Sequence, residues 1–325
     1  YASGPLLASW LTLDPASKEL LIDPDALQTF VIKNIDDLFD DAPQNSRFEI
    51  QAGVLTEIIP GRAGSAVNTG KISSVFNDRL RAIQSNQSPS YSVLRIEVPV
   101  ITKEPQITAA TIGHYQITDL IGTARTSLGS SGASRRTNIK LGIARINGLL
   151  VAPGEEFSAV SIIGYVTEEA GFEPEFVIKG QESVKELGGG LCQVSTTLFR
   201  TVLAAGLPVT ERQNHKYVVG YYGPGLDATI YGPHPDLRFI NDTANYILVQ
   251  GKVIGNEAVF EIYGKKDGRV AQVSEVKITN RIPPPTPKYI PSTELALGEQ
   301  KCTETARYGQ TADATYTVTY ATGES

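Results

Sequence analysis

Three consecutive glycines run straight into an amphipathic segment in "ELGGGLCQVSTTLFRTVLAAGLPVTERQNH", residues 186–215, and no other stretch constrains the fold as much. Leu191, Val194, Leu198 and Val202 recur at three- and four-residue spacing, which predicts a helix over Cys192 to Ala205 packed on that face. Gly206 ends it and Pro208 prevents its continuation. Gly188, Gly189 and Gly190 carry no side chains, so a substrate backbone could approach the first helical turn closely.

The whole chain holds two cysteines and three histidines, and one of each lies in this stretch. Cys192 falls in the first turn, where exposed N–H groups lower a thiol pKa and favour the thiolate. The glycine N–H groups, with that of Cys192 or Gln193, could stabilise an oxyanion. After the turn, "VTERQNHKYVVGYY" alternates like a strand, with His215 on the face of Val209, Tyr217 and Val219. Asp227 opens "DATIY", which could pair beside it. Cys on a helix start, His on the next strand and Asp on a third is the order used by papain-like and transglutaminase-like thiol enzymes. The candidate catalytic residues are therefore Cys192, His215 and Asp227. Gly188, Gly189, Gly190, Gln193 and Arg212 are the candidate substrate-binding residues.

Each of these residues also has an ordinary structural role open to it. A cysteine at a helix start serves as a small buried hydrophobe, and a strand histidine as a partner of backbone groups. Arg212 could pair internally with Asp227 or Asp236, and Arg135 and Arg136 could simply be solvated. His215 and His234 with Asp227 or Asp236 match no standard zinc spacing, so neither a metal site nor a cofactor is expected. His114 stands alone in a predicted strand.

At 325 residues the chain is too long for one ordinary core, so two or three domains are expected. Residues 1–108 read as a small α+β domain. Helical spacing runs through Leu27, Phe30, Val31, Ile35, Leu38 and Phe39, with Asp23 or Asp25 as cap. A hairpin turning at Ala52-Gly53 follows, then a second helix with Ile72, Val75, Phe76, Leu80 and Ile83 on one face. A strand in "YSVLRIEVPVI" and a linker in "TKEPQIT" close the unit. Residues 109–267 read as a mixed α/β domain, with the Cys-bearing helix against an antiparallel sheet. A Gly/Ser-rich loop precedes a helix from Thr137. Strands flank Pro153-Gly154, and "PDLRFINDTANYILVQGKVIGNEAVFEIYG" alternates over three strands. Residues 268–325 read as a Pro-rich linker and an incomplete β module. The fold class is α+β.

The net charge of −6 argues against a nucleic-acid partner. No apolar run of membrane-spanning length occurs. The chain begins at Tyr1 and contains no Met, so a signal peptide or membrane anchor upstream is expected. A homo-oligomer is compatible with the composition.

The runs "RRTNIKLGIARINGLLVAPGEEFSAVSIIGYVTEEAGF", "GGGLCQVSTTLF", "AGLPVTERQNH" and "GLDATIY…DLRFIND" closely resemble the VanW-like domain, which is named for an accessory protein of vancomycin-resistance clusters. Residues 1–108, through "NSRFEIQAGVLTEIIPGRAGSAVN", resemble the peptidoglycan-binding-like domain that often precedes it. The tail resembles the small β module found after VanW domains. The resemblance implies an exported, extracellular or cell-envelope bacterial protein whose partner is peptidoglycan or its stem peptides. It carries over no reaction. Two readings result: thiol chemistry by Cys192 and His215 on stem-peptide acyl groups, or a non-catalytic wall-binding or structural surface protein.

Overall fold

The structure is a computed structural model that describes residues 4–35, 41–85, 97–129, 131–179, 182–216, 218–219, 222–302, 306 and 308–324. By internal contacts the chain divides into two units, residues 1–46 with 59–111, and residues 47–58 with 112–325.

In the first unit the helix Pro24–Asn34 begins where Asp23 accepts the N–H groups of Asp25 and Ala26 at 2.9 and 3.4 Å. This N-cap satisfies donors that the first turn leaves without intrahelical partners. Asn68 caps the helix Thr69–Gln84 in the same way through Lys71 N–H. Trp10, Ile22, Leu27, Val31, Val67 and Ile72 form the core between them. Leu38 and Phe39, assigned from sequence to the first helix, lie outside the described residues. Ile83, placed on the buried face by its spacing, is exposed on the last turn. The closing strand is Val100–Lys103, paired antiparallel with Gly64–Val67. It runs into the predicted linker, while residues 91–96 of the predicted strand lie outside the description.

The hairpin of Arg47–Gln51 and Val54–Ile59 turns at Ala52 and Gly53, both with positive φ. This is the backbone a two-residue hairpin requires. Its residues 47–58 group with the second unit. There Phe48 is buried and its N–H donates to Gly148 O at 3.1 Å.

The second unit is built on a four-stranded antiparallel sheet in the order Asp119–Ser127, Glu257–Gly264, Ile247–Ile254, Leu149–Val151. The helix Leu191–Ala204, one residue earlier than its predicted span, packs on this sheet. Val194, Leu198 and Val202 are fully buried there, as their spacing requires. A Cβ on Gly122 would lie 2.6 Å from Thr201 O, so the strand needs glycine where the helix crosses it. The helix ends in a Schellman motif: Gly206 has φ +74°, its N–H donates to Leu203 O, and Leu207 N–H donates to Val202 O. A second helix, Ala133–Ile146, starts four residues before the predicted Thr137. A smaller sheet orders Val209–Glu211, Arg238–Ile240 and Glu156–Ser158. The hairpin Pro174–Lys179 with Glu182–Leu187 adds a further pair. His114 sits in a 3-10 turn, Ile112–Tyr115, rather than a strand. The neighbouring Tyr115 ring packs against Tyr246 at 4.3 Å.

The last strand, Tyr316–Thr319, pairs with Val270–Val273, and Gly309–Asp313 pairs with Lys277–Ile282. The first of these pairs returns to the C-terminal end of the Cys192 helix. Arg269 donates to Gly206 O at 2.8 Å and pairs with Asp242 at 2.6 Å, while the Tyr316 hydroxyl donates to Leu207 O at 3.3 Å.

Candidate active site

The glycine run is packed against the protein's own chain. Gly190 is the N-cap, with φ +114°, and a Cβ there would lie 2.9 Å from Ile139 Cγ1. A Cβ on Gly189 would meet Glu175 Cβ at 2.8 Å, and Gly189 O accepts from Asn138 Nδ2 at 3.0 Å. All three glycines are buried. Leu191 N–H donates to Gly188 O and Gln193 N–H to Gly190 O, so two first-turn donors are committed. The Cys192 N–H lies between them. The Cys192 thiol is half-buried, the Cys302 thiol is exposed, and both are unbridged.

The strand expected to carry His215 stops at Glu211. Arg212 turns its guanidinium onto the returning chain, donating to Asp227 O at 2.6 Å and Gly225 O at 2.7 Å. Pairing resumes for one step at Gln213 and Thr229. His215 therefore sits two residues beyond that bridge and Asp227 two residues before it. The Asp227 carboxylate atom Oδ2 accepts both the His215 backbone N–H at 2.7 Å and the ring Nδ1–H at 2.5 Å. Nδ1 is thereby occupied, which leaves Nε2 as the ring nitrogen for the sulfur. Tyr217, placed on the same face from sequence, lies outside the described residues.

The charges follow from this geometry. Burial pushes the Cys192 thiol up, but the hydrogen bond and positive charge of His215 outweigh it, and the thiol is lowered. Burial pushes His215 down, but Asp227 and the Cys192 sulfur outweigh that, and the ring is raised to about 9. Burial likewise opposes the Asp227 charge, yet its bonds from His215 hold the carboxyl below its usual range. The two shifts have opposite sign and the same cause, so both favour charge on the Cys192–His215 couple, with the Asp227 carboxylate behind it.

Residues that the sequence reading passed over hold the parts together. Ser195 and Thr196 donate to Ala228 O at 2.7 and 3.1 Å, and Thr196 accepts Ala228 N–H at 3.0 Å. Arg200 donates to Leu226 O at 2.8 Å. The thiol helix thus grips the Asp227 segment directly. A signal existed, because Ser195 and Thr196 are three and four residues after Cys192 and share its helix face. Beside the sulfur, Thr229 Oγ1 lies at 3.3 Å and Ile230 O at 3.6 Å.

Cys192, His215, Gly188 and Gly190 line a cavity of about 1500 Å³. Tyr165, Phe176 and Tyr231 also line it and remain exposed. Gln193 is buried elsewhere: its amide donates to Ser127 O and Thr126 Oγ1 and accepts from Arg135. Arg212 faces the 225–227 segment and stacks over the Phe199 ring at 5.2 Å. Arg136 ties Ser131 O and Gly129 O. His234 and His215 are bound apart, His234 to Glu211 at 2.9 Å and His215 to Asp227. Asp236 is fully buried on Ser158 and Val160. Among the described residues no three His, Cys, Asp or Glu side chains cluster as metal ligands.

An α+β unit with a cavity-facing thiol, an imidazole and a supporting carboxylate defines a class of proteins with a Cys–His–Asp constellation. Comparison with known proteins narrows the class. The family described as VanW like protein matches residues 134–263. The uncharacterized protein YoaR of Bacillus subtilis (strain 168) is 33% identical over 228 residues, covering 70% of this chain and 72% of YoaR. The vancomycin B-type resistance protein VanW of Enterococcus faecalis (strain ATCC 700802 / V583) is 32% identical over 112 residues, 33% of this chain and 40% of that protein. The chain belongs to the VanW-like family. No solved structure matches it.

Proposed function

We propose that this VanW-like protein is exported to the bacterial cell envelope and acts on peptidoglycan, with Cys192 as the nucleophile toward acyl groups of stem peptides. One observation carries the reading: the Cys192 thiol and the His215 ring, which Asp227 holds at 2.5 Å, stand on the wall of one open cavity. A thiol kept only for packing requires no such partners. The name of the Enterococcus faecalis relative, a vancomycin resistance protein, supports a substrate in the wall. Residues 1–108 then serve as a wall-binding domain.

The chemistry balances on these residues alone. The Cys192 thiolate forms a bond to the carbonyl carbon of an amide or ester, and the carbonyl electron pair moves onto oxygen. The Cys192 N–H at the helix start is placed to receive that oxyanion. When the oxyanion collapses, the carbon–nitrogen or carbon–oxygen bond breaks and His215 gives its proton to the leaving group. Water or an acceptor amine then attacks the thioester carbon and gives a proton back to His215; the carbon–sulfur bond breaks, the acyl product leaves and Cys192 returns as the thiolate, which restores the ion pair. Asp227 stays ionised and keeps the ring aligned.

The test is incubation of the protein with purified peptidoglycan, with sedimentation and mass spectrometry of the soluble products. New acyl products that vanish in Cys192→Ser and in His215→Ala support the reading. Sedimentation with the wall and no Cys192-dependent product would leave a non-catalytic wall-binding protein.

A further inference from the structure

The geometry points to Thr229 as a further catalytic residue, its hydroxyl donating to the Cys192 sulfur and holding it as the thiolate. This rests on Cys192 being the nucleophile. Two oxygens flank the sulfur and have opposite preferences. The Ile230 carbonyl at 3.6 Å can only accept, so it favours the protonated thiol. The Thr229 hydroxyl at 3.3 Å can donate, so it favours the thiolate. Adjacent residues, Thr229 at an isolated bridge to Gln213 and Ile230 next to it, thus present the sulfur with a partner for each protonation state. The hydroxyl sets the balance toward the charged form.

The position of this hydroxyl is fixed on three sides. Thr229 N–H donates to Gln213 O at 2.8 Å, so the residue is tied to the stretch that carries His215. The preceding Ala228 is held at both its N–H and its carbonyl by Thr196, and at the carbonyl by Ser195 as well. Thr229 therefore stands where the helix of Cys192, the stretch of His215 and the segment of Asp227 meet. Its donor complements His215: the ring supplies charge and a mobile proton, and the hydroxyl supplies a bond that stays in place. As the sulfur attacks and its charge leaves, that bond weakens. The hydroxyl thus stabilises the resting thiolate and moderates its nucleophilicity.

The experiment measures Cys192 alkylation by iodoacetamide against pH in Thr229→Val and Thr229→Ser, with peptide mass spectrometry reporting Cys192 separately from Cys302. Valine keeps the shape and removes the donor. The expected result is a profile shifted up by about one pH unit, roughly tenfold slower on the acidic limb. The alkaline plateau should equal or exceed wild type, because a thiolate freed of its donor is more nucleophilic. Serine should restore the wild-type profile. A Val profile that superimposes on wild type, or one that falls equally on both limbs without rescue by Ser, overturns the assignment. No wall substrate enters this measurement. The absence of any Cys192-dependent wall product would overturn the peptidoglycan reading and leave the alkylation result standing. A flat Thr229 series with Cys192-dependent products would do the reverse.

Discussion

A single oxygen, Oδ2 of Asp227, accepts from both the backbone N–H and the ring Nδ1–H of His215, at 2.7 and 2.5 Å. The carboxylate therefore fixes where the residue is as well as how its ring is turned. Ring orientation and tautomer at His215 depend on one side chain that is itself almost completely buried, and its charge depends on that side chain together with the Cys192 sulfur.

Replacing that side chain has a double cost. Asp227→Asn removes a charge that pairs with His215 and with Arg212 at 3.4 Å. Breaking a buried pair of this kind costs about 3–5 kcal/mol. Urea denaturation should show that loss, and Cys192 alkylation at neutral pH should slow because the ring is no longer held charged. A variant as stable as the parent would mean that Asp227 does not hold the pair.

The His215 ring should titrate at about 9 instead of 6.5. Because the folded value is raised, the stability it contributes is complete below about pH 6.5 and fades as the pH climbs through about 9. Cys192 has the opposite sign. Its folded value is lowered, so its contribution is present above the unfolded thiol value and is lost as the pH falls through the folded one. Proton NMR of the ring Cε1–H in wild type and Cys192→Ser separates the two. The wild-type ring should stay charged at pH 8, and loss of the thiol should lower its midpoint. A wild-type midpoint near 6.5 would exclude the ion pair.

Leu198 is wholly buried where the thiol helix meets the sheet. Leu198→Ala should destabilise the fold by about 2–5 kcal/mol, from lost burial and the cavity left behind. Chemical denaturation reads this directly, and a loss under about half a kcal/mol would show that the site can collapse.

Gly190→Ala tests the junction. The residue holds φ +114°, and its new Cβ would press on Ile139 and Arg135. The strain alone is roughly 1–3 kcal/mol. Since the N-cap positions the first turn, Cys192 alkylation should also lose its low-pH component. Unchanged stability and reactivity would show that the junction relaxes freely.

The parts read correctly from sequence are those whose cause is local. The spacing of Val194, Leu198 and Val202 encodes a helix face within a few turns, and alternation marks the three strands between Arg238 and Gly264. The strand Asp119–Ser127 went unread because its residues are mixed in burial and its Gly122 serves a helix crossing. Gln193 stood beside the cysteine and was assigned to substrate. Its partners Thr126 and Ser127 are more than sixty residues away, with no trace in local pattern. Arg212 ends the strand before His215 by reaching for carbonyls that only the folded return of the chain supplies.

Arg269 and the strand Asp119–Ser127 lie outside the family-matched residues 134–263, yet both belong to the thiol helix's surroundings. The helix has a thiol biased toward its charged form in the first turn and a guanidinium against Gly206 O at the other end. Each charge opposes the local pole of the backbone dipole, so the two ions act on one axis from opposite ends. A fragment trimmed to the recognisable homology would lose one pole and the sheet edge beneath it. The smallest piece of this chain that keeps the thiol helix in its full setting is therefore larger than the piece by which its relatives are recognised.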